Sequence, residues 1–133
     1  MSYLNTGNIT KNFSYAESAC KCGCGLNRIC FCLPNRLQVF SDILQTPIIV
    51  TSWCRCETHN ENEGGADNSY HLPIHTCSVC GAENVSLAVD ITILNRWRMK
   101  KLAKLCKYWS GGYHYYPDKN IIHLDIRGYK ARW

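Results

Sequence analysis

Two histidines and one aspartate, His71, Asp90 and His123, are the residues of this sequence whose types suit a catalytic metal ion. They come from three separate segments, residues 69–71, 86–90 and 121–127. Imidazole and carboxylate are common zinc ligands, and three protein ligands leave the fourth position of a tetrahedral ion open for water. The set therefore predicts a zinc site that supports hydrolysis, although either histidine alone would be interpreted as structural.

The carboxylate of Asp125 lies two residues beyond His123 in a segment that has strand character. Because side chains alternate along a strand, His123 and Asp125 should point to one face. Asp125 is therefore our candidate for the catalytic general base. The alternative is a carboxylate that orients the histidine ligand without touching the substrate.

Length and composition predict one α+β domain with one core. The chain has 133 residues, 46% of them hydrophobic, and a formal net charge of +5. Basic residues are densest at 96–107, which indicates either a solvated helix face or attraction to an acidic polymer such as the cell wall or nucleic acid. No element specific to nucleic acid accompanies them, so we predict no nucleic-acid partner.

The first five residues have neither the charged start nor the apolar run of a signal peptide, and no later stretch reaches membrane-spanning length. We therefore expect a protein made in the cytoplasm without a signal peptide. Ten cysteines in such a chain favour metal binding over disulfides. Disulfides remain an alternative if the protein works outside the cell.

Helical signals appear in three places. Ser14 and Glu17 have the spacing of a capping box. A helix at 34–44 should place Leu37, Phe40, Ile43 and Leu44 on its core-facing stripe, and a second long helix is expected at 96–108.

Strand signals complete the predicted fold. The β-branched run at 47–52 predicts a buried strand, and residues 85–91 predict another. A hairpin should join strands at 112–116 and 121–126 through a turn at 117–120. The polar segment between residues 53 and 70 is expected to be an irregular loop over the site.

Taken in order, eight short motifs resemble the peptidase M15 family. These are residues 13–17, 20–25, 47–52, 55–60, 64–65, 69–71, 88–90 and 123–127. The chain looks most like short zinc D-Ala-D-Ala carboxypeptidases and phage endolysin peptidases of that family, and its last two residues resemble the end of related murein endopeptidases. The resemblance implies a small antiparallel sheet with flanking helices, as in the hedgehog and D-Ala-D-Ala peptidase fold.

The resemblance also implies roles for individual residues. It makes His71, Asp90 and His123 the zinc ligands, and it puts Arg55 near the terminal carboxylate of the substrate. A guanidinium can hold a carboxylate through two hydrogen bonds. Ser69 is a candidate for a further hydrogen bond to substrate. The alternative for Arg55 is a salt bridge within its loop.

The sequence departs from the family pattern at Asn120. Several relatives carry a carboxylate three residues before the last zinc histidine, and an amide cannot accept the proton of water. The general base must therefore be another residue, for which Asp125 is our candidate, or the enzyme is weak.

A second departure is an insertion at residues 72–85 that contains Cys77 and Cys80. The Cys-x-x-Cys-Gly turn is typical of half a structural zinc site, since both thiolates can reach one ion. We predict that two more cysteines complete it, although disulfides formed after release are the alternative. The candidate partners are Cys20, Cys22, Cys24, Cys30, Cys32, Cys54 and Cys56, with His75 as a further option.

Two functions are consistent with these observations. The first is a monomeric zinc peptidase that hydrolyses peptidoglycan stem or cross-link peptides, acting on the cell wall after release from a phage or bacterial cell. The second is a zinc-stabilised binding or assembly module that kept the fold and lost turnover. Zinc binding alone would not separate them.

Overall fold

Five strands form one sheet in the order β1-β2-β4-β3-β5 in the computed structural model, which describes residues 7–133. Neighbouring strands are antiparallel, except that β5 runs parallel to β3. The strands are β1 (Ile49–Ser52), β2 (Ala88–Thr92), β3 (Gly112–Tyr116), β4 (Ile121–Asp125) and β5 (Ala131–Arg132).

Among residues 7–133, four α-helices accompany the sheet and confirm the predicted α+β class. They are α1 (Tyr15–Ser18), α2 (Cys32–Leu44), α3 (Glu57–Asn62) and α4 (Arg96–Leu105), and a 3-10 turn at Cys106–Tyr108 follows α4. The predicted capping box is present in α1, where the Glu17 N–H donates to Ser14 Oγ and the Ser14 N–H donates to the Glu17 carboxylate. The expectation about residues 1–5 lies outside the described residues.

The core lies where α2 and α4, which contact each other, pack against one face of the central strands. Leu33, Leu37, Met99 and Leu102 come from the helices, and all four are fully buried. The sheet contributes a set of equally buried residues, Val89, Ile91, Ile122 and Leu124. Because side chains alternate along β2 and β4, the residues between these apolar positions point to the opposite face.

The predicted core stripe of α2 was wrong at Ile43, whose side chain is 58% exposed. The helix begins at Cys32, before Pro34, and its buried side is formed by Leu33, Leu37, Ser41 and Leu44. Ile43 follows Phe40 by three positions, but the buried side runs from Leu37 to Leu44 through the polar Ser41, which an apolar pattern does not mark.

Two further expectations need correction. The segment at 53–70 is not wholly irregular, because it contains α3, whose N-cap is the sulfur of Cys56 accepting from the His59 N–H. Cysteine is not a usual N-cap residue, so the helix start gave no recognisable signal. Strand β1 lies at the sheet edge and is not fully buried, since Ile49 is 39% exposed.

The hairpin of β3 and β4 is confirmed, and so is the turn between them. The register of the sheet sets Asp90 on β2 opposite His123 on β4. Among residues 7–133, no helix has the length and apolar character that crossing a membrane requires.

Candidate metal centre

The three residues singled out for metal binding meet on one face of the β2–β4 pair, near its middle. Asp90 Oδ1 lies 3.0 Å from His123 Nδ1 and 3.2 Å from His71 Nε2. His71 comes from the loop before the insertion, and its carbonyl accepts from the Arg55 N–H at 3.0 Å. One donor atom from each residue lies within 4.8 Å of the other two, so the set could hold a metal ion.

Hydrogen bonds fix which nitrogen of each imidazole faces the others. His71 Nδ1 lies 2.7 Å from the carbonyl oxygen of Trp53, so this nitrogen carries the proton and Nε2 presents a lone pair. His123 Nε2 lies 2.8 Å from Asp125 Oδ2, which leaves Nδ1 as the lone-pair nitrogen of the neutral ring. Two lone pairs and a carboxylate oxygen therefore converge, an arrangement that a cation among them would stabilise.

The pKa shifts of these three residues favour a positive charge between them. Burial lowers the pKa of His71 and so favours its neutral, metal-binding form. Burial acts on His123 in the same direction, but Asp125 and Asp90 outweigh it and raise its pKa. Burial also opposes ionisation of Asp90, yet the two imidazoles hold the pKa of this carboxyl well below its usual range. A metal ion would replace the proton that Asp90 attracts to His123.

The second oxygen of Asp90 is held by Arg55. Arg55 donates to Asp90 Oδ2 at 3.1 Å, to Ser52 Oγ at 2.9 Å and to Asn60 Oδ1 at 3.3 Å. With Oδ2 occupied, Oδ1 is left to face both imidazoles. Arg55 is therefore placed to orient Asp90, and it also lines the adjoining cavity.

Asp125 is fully buried and saturated with hydrogen bonds. Its Oδ1 accepts from the Gly112 N–H at 3.0 Å, and Arg127 binds both carboxylate oxygens at 2.8 and 2.7 Å. Burial raises the pKa of Asp125, but Arg127 and His123 overcome it and hold the pKa well below its usual range. These contacts favour the alternative role named from the sequence, a carboxylate that orients His123.

A cavity of about 570 Å³ opens in front of the three ligands. Its charged lining combines three cations with two acids, and Tyr70, Tyr116 and Trp133 supply aromatic surface. The charged residues are Arg55, Lys119, Arg127, Glu63 and Asp90. The guanidinium of Arg127 lies 4.5 Å from the ring centre of Tyr70 and 5.1 Å from that of Trp133.

Ser69 and Asn120 are the remaining polar residues that the sequence raised. Ser69 lines the cavity, and its Oγ accepts from the His71 N–H at 3.2 Å, so it also shapes the loop. Asn120 adopts a positive φ of 54° in the hairpin turn and donates to the carbonyl of Ile93 at 2.9 Å. Its amide is engaged with the end of β2 and is not among the lining residues of the cavity.

Eight of the ten cysteines fall into two groups of four, each with mutually close sulfur atoms. One group joins Cys77 and Cys80 of the insertion to Cys30 and Cys32, and the other consists of Cys20, Cys22, Cys24 and Cys56. All ten cysteines lie in the described part of the chain and all are free thiols. Cys54, Cys106 and His75 belong to neither group.

The Cys77 sulfur is suited to the thiolate form. Burial alone would raise the pKa of this thiol, but hydrogen bonds from the Cys80 backbone and from Cys30 lower it to about 7. The thiolate is the form that binds metal.

The structure is an α+β domain in which two histidines and one aspartate beside a cavity could hold a metal ion. A sequence model of the family Peptidase M15 matches residues 10–125. The chain belongs to the peptidase M15 family, as its motifs predicted, and the family implies a hydrolase acting on peptides. Searches among curated proteins and among solved structures gave no match.

Sequence reasoning gave no role to several residues that line the cleft, among them Arg127, Trp133 and Glu63. Arg127 lies two positions beyond Asp125, and alternation from His123 could have placed it near the site. Trp133 was noted as one of the last two residues, but it was given no role. Glu63 lay in a segment that was expected to be irregular.

Proposed function

We propose that this protein is a zinc metallopeptidase that hydrolyses peptidoglycan peptides. The observation that carries the proposal is the convergence of His71 Nε2, Asp90 Oδ1 and His123 Nδ1. Each imidazole is held by a hydrogen bond at its other nitrogen, which is typical of histidines that bind zinc. Neutral imidazoles and a carboxylate form a donor set that fits zinc, and three ligands leave one position open.

In this proposal His71, Asp90 and His123 hold the ion on the face of the sheet opposite the helices. Zinc, when bound, supplies an activated water and polarises the scissile carbonyl. Asp125 and Trp53 fix the two rings, and Arg55 fixes the carboxylate. The chain thereby keeps its ligands in one geometry before substrate arrives, which reduces reorganisation during the reaction.

The charges of the cleft support a substrate with a carboxylate. Arg55, Lys119 and Arg127 line the cavity beside the proposed zinc, and peptidoglycan stem peptides end in a carboxylate. We propose that Arg55 contributes to binding this group and that Ser69 adds a hydrogen bond. Whether the bond cleaved is a terminal D-Ala linkage or a cross-link is decided by the experiment below.

The general base has two candidates. Asp125 remains the one named from the sequence, although its contacts with Arg127 and Gly112 favour an orienting role. Glu63 is the other, because it is, with Asp90, one of two acidic residues among the described cavity lining. Asp125→Asn and Glu63→Gln separate them, since loss of a general base lowers kcat by roughly 10²–10⁴-fold.

The proposal includes a closed structural zinc at Cys30, Cys32, Cys77 and Cys80. Two distances support this site: the sulfurs of Cys30 and Cys80 lie 3.3 Å apart, and those of Cys32 and Cys77 lie 4.0 Å apart. The insertion is closed by the pairing of His75 with Val85, and Ile29 pairs with Ser86, so these bridges bring the two cysteine pairs together. The ion would fix the insertion beside the cleft.

The test is mass spectrometry of purified peptidoglycan fragments incubated with zinc-loaded wild type, Asp90→Asn and Asp118→Asn. Asp118 is an exposed residue of the hairpin turn and serves as the matched control. We expect cleavage by wild type and Asp118→Asn, and its loss in Asp90→Asn. Release of one D-Ala would identify a carboxypeptidase, and opening of a cross-link an endopeptidase. Absence of product from folded, zinc-replete wild type would contradict the proposal.

The second candidate is a module that binds the same peptides without turnover. Two observations favour it: Asn120 faces the end of β2, and Asp125 is saturated with hydrogen bonds. Peptide binding measured by calorimetry, with no product by mass spectrometry, is the result that would select this function.

A further inference from the structure

We propose that Cys20, Cys22, Cys24 and Cys56 bind a second structural zinc ion, which fastens the loop after α1 to the start of α3. Three ligands come from residues 20–24, and the fourth, Cys56, is the N-cap of α3. One sulfur atom from each residue lies within 4.8 Å of the other three. This site is separate from the group that contains Cys77 and Cys80.

The distances between sulfurs match those of a zinc tetrathiolate. A Zn–S bond of about 2.3 Å in tetrahedral geometry puts sulfurs roughly 3.8 Å apart. Cys20 and Cys22 are separated by 3.4 Å, and Cys22 and Cys56 by 3.7 Å. A disulfide would bring one pair to about 2.05 Å and needs no third or fourth sulfur nearby. Four converging sulfurs therefore point to a shared ion.

The backbone of the turn is shaped to direct its sulfurs inward. Gly23 and Gly25 adopt φ of 85° and 87°, which other residues rarely take, and the Gly23 N–H donates to the Cys20 carbonyl. The Cys56 N–H donates to Cys20 Sγ at 3.4 Å, and the His59 N–H donates to Cys56 Sγ at 3.3 Å. Such N–H donors stabilise sulfur in its charged, metal-binding form.

The turn has little else to hold it. Residues 21–25 are all exposed and belong to no helix or strand. A loop that buries no apolar side chain gains nothing from the hydrophobic effect to offset the entropy of ordering it. A closed metal site supplies that stabilisation, as it does in small zinc domains.

The proposed ion would also support the cleft. Cys56 is adjacent to Arg55, whose guanidinium holds Asp90, and it caps α3. Asn60 of α3 accepts a hydrogen bond from Arg55. The ion would therefore fix the segment that carries Arg55, without contacting substrate.

The test counts metal ions bound by thiolate in the full chain. Wild type, Cys22→Ser/Cys24→Ser, Cys24→His and the matched control Cys106→Ala are loaded with zinc for elemental analysis and with Co²⁺ for thiolate-to-metal charge-transfer absorption. Cys106 is a buried cysteine outside both groups. The site with His71, Asp90 and His123 has no sulfur, so it does not contribute to this absorption, and its failure would be seen separately as lost peptidase activity.

We expect the double variant to bind one zinc ion fewer than wild type and to lose about half of the charge-transfer intensity. Cys106→Ala should match wild type in both measurements. Cys24→His should keep the ion, because three cysteines and one histidine also form a structural zinc site. An unchanged metal count and unchanged absorption in the double variant would overturn the proposal. So would disulfides among these four cysteines, found by mass spectrometry of peptides from the non-reduced, alkylated wild type.

Discussion

The histidine–aspartate centre and the two cysteine groups are built on different supports. Asp90 and His123 lie on paired strands in the middle of the sheet, and each ligand of this centre is braced by a hydrogen bond to another protein group. The clustered cysteines lie on loops or at helix ends. Cys30 and Cys77 are buried in the core, whereas residues 21–25 are all exposed. The fold positions the ligands of the first site before any metal binds, whereas metal at the two cysteine groups would order the loops that carry them.

This difference predicts separate roles for the proposed metal ions. A centre whose ligands are already positioned can leave one coordination position open and still keep its geometry. A loop that depends on its ion for order needs all four positions occupied by protein. We therefore expect metal at the first centre to control turnover and metal at the cysteine groups to control stability.

The largest effect on turnover is expected for Asp90→Asn. The amide keeps the shape of the side chain but is a poorer zinc ligand, so kcat/KM should fall by more than the roughly 100-fold typical of residues behind the ligands. The cysteine-bound metal should be retained, and Tm should fall by only a few degrees, in line with about 1 kcal/mol for the weakened pair with Arg55. A fall in Tm as large as that expected from removing the cysteine-bound metal would contradict the distinction between the sites.

Removing the cysteine-bound metal should produce the largest effect on stability. Chelation is expected to cost several kcal/mol of unfolding free energy and to lower Tm by more than about 10 °C. Hydrogen exchange should speed up at residues 19–29 and 72–86, while β2 and β4 remain protected. Equal protection of both loops before and after chelation would show that they do not depend on the ions.

Asp125→Asn tests whether the Asp125 carboxylate holds the His123 ring in place for metal binding. If Asp125 orients His123, zinc affinity and kcat/KM should both fall by about 10–100-fold. Titration with a competing chelator measures the affinity. If kcat falls while zinc affinity stays at the wild-type value, Asp125 acts as the general base instead.

Arg55→Lys should have a smaller effect that appears mainly in KM. A lysine ammonium cannot hold Asp90 and a substrate carboxylate together as the branched guanidinium can. Loss of one charge-assisted hydrogen bond to the substrate carboxylate, worth about 1.5–3 kcal/mol, predicts a KM rise of roughly 10-fold or more. Steady-state kinetics on a stem peptide measures it. An unchanged KM with lower kcat and weaker zinc binding would assign Arg55 to Asp90 rather than to substrate.

Ser69→Ala should have the smallest effect. Loss of one neutral hydrogen bond of about 0.5–1.5 kcal/mol predicts a KM rise of a few-fold, with kcat and metal content unchanged. A kcat loss as large as that of Asp125→Asn would mean that Ser69 acts through its contact with the His71 N–H.

Local patterns predicted most of the regular structure. The capping box of Ser14 and Glu17 and the β3–β4 hairpin depend on neighbours in sequence, and both were found. Ile43 was misplaced because the polar Ser41 lies on the buried side of α2, and α3 was missed because a cysteine sulfur caps it. Such errors arise where a residue takes a position that its type does not usually take.

The sequence by itself determined the family, the strand alternation that sets His123 beside Asp125, and the donor types of a zinc site. Only the tertiary structure decided how the cysteines divide, because Cys30 and Cys80 lie 50 positions apart and meet through bridges on either side of the insertion. It also decided that Asn120 faces the end of β2 and that Arg127 saturates Asp125. These outcomes depend on which side chains become neighbours after folding, and neighbours in space are not encoded in spacing along the chain.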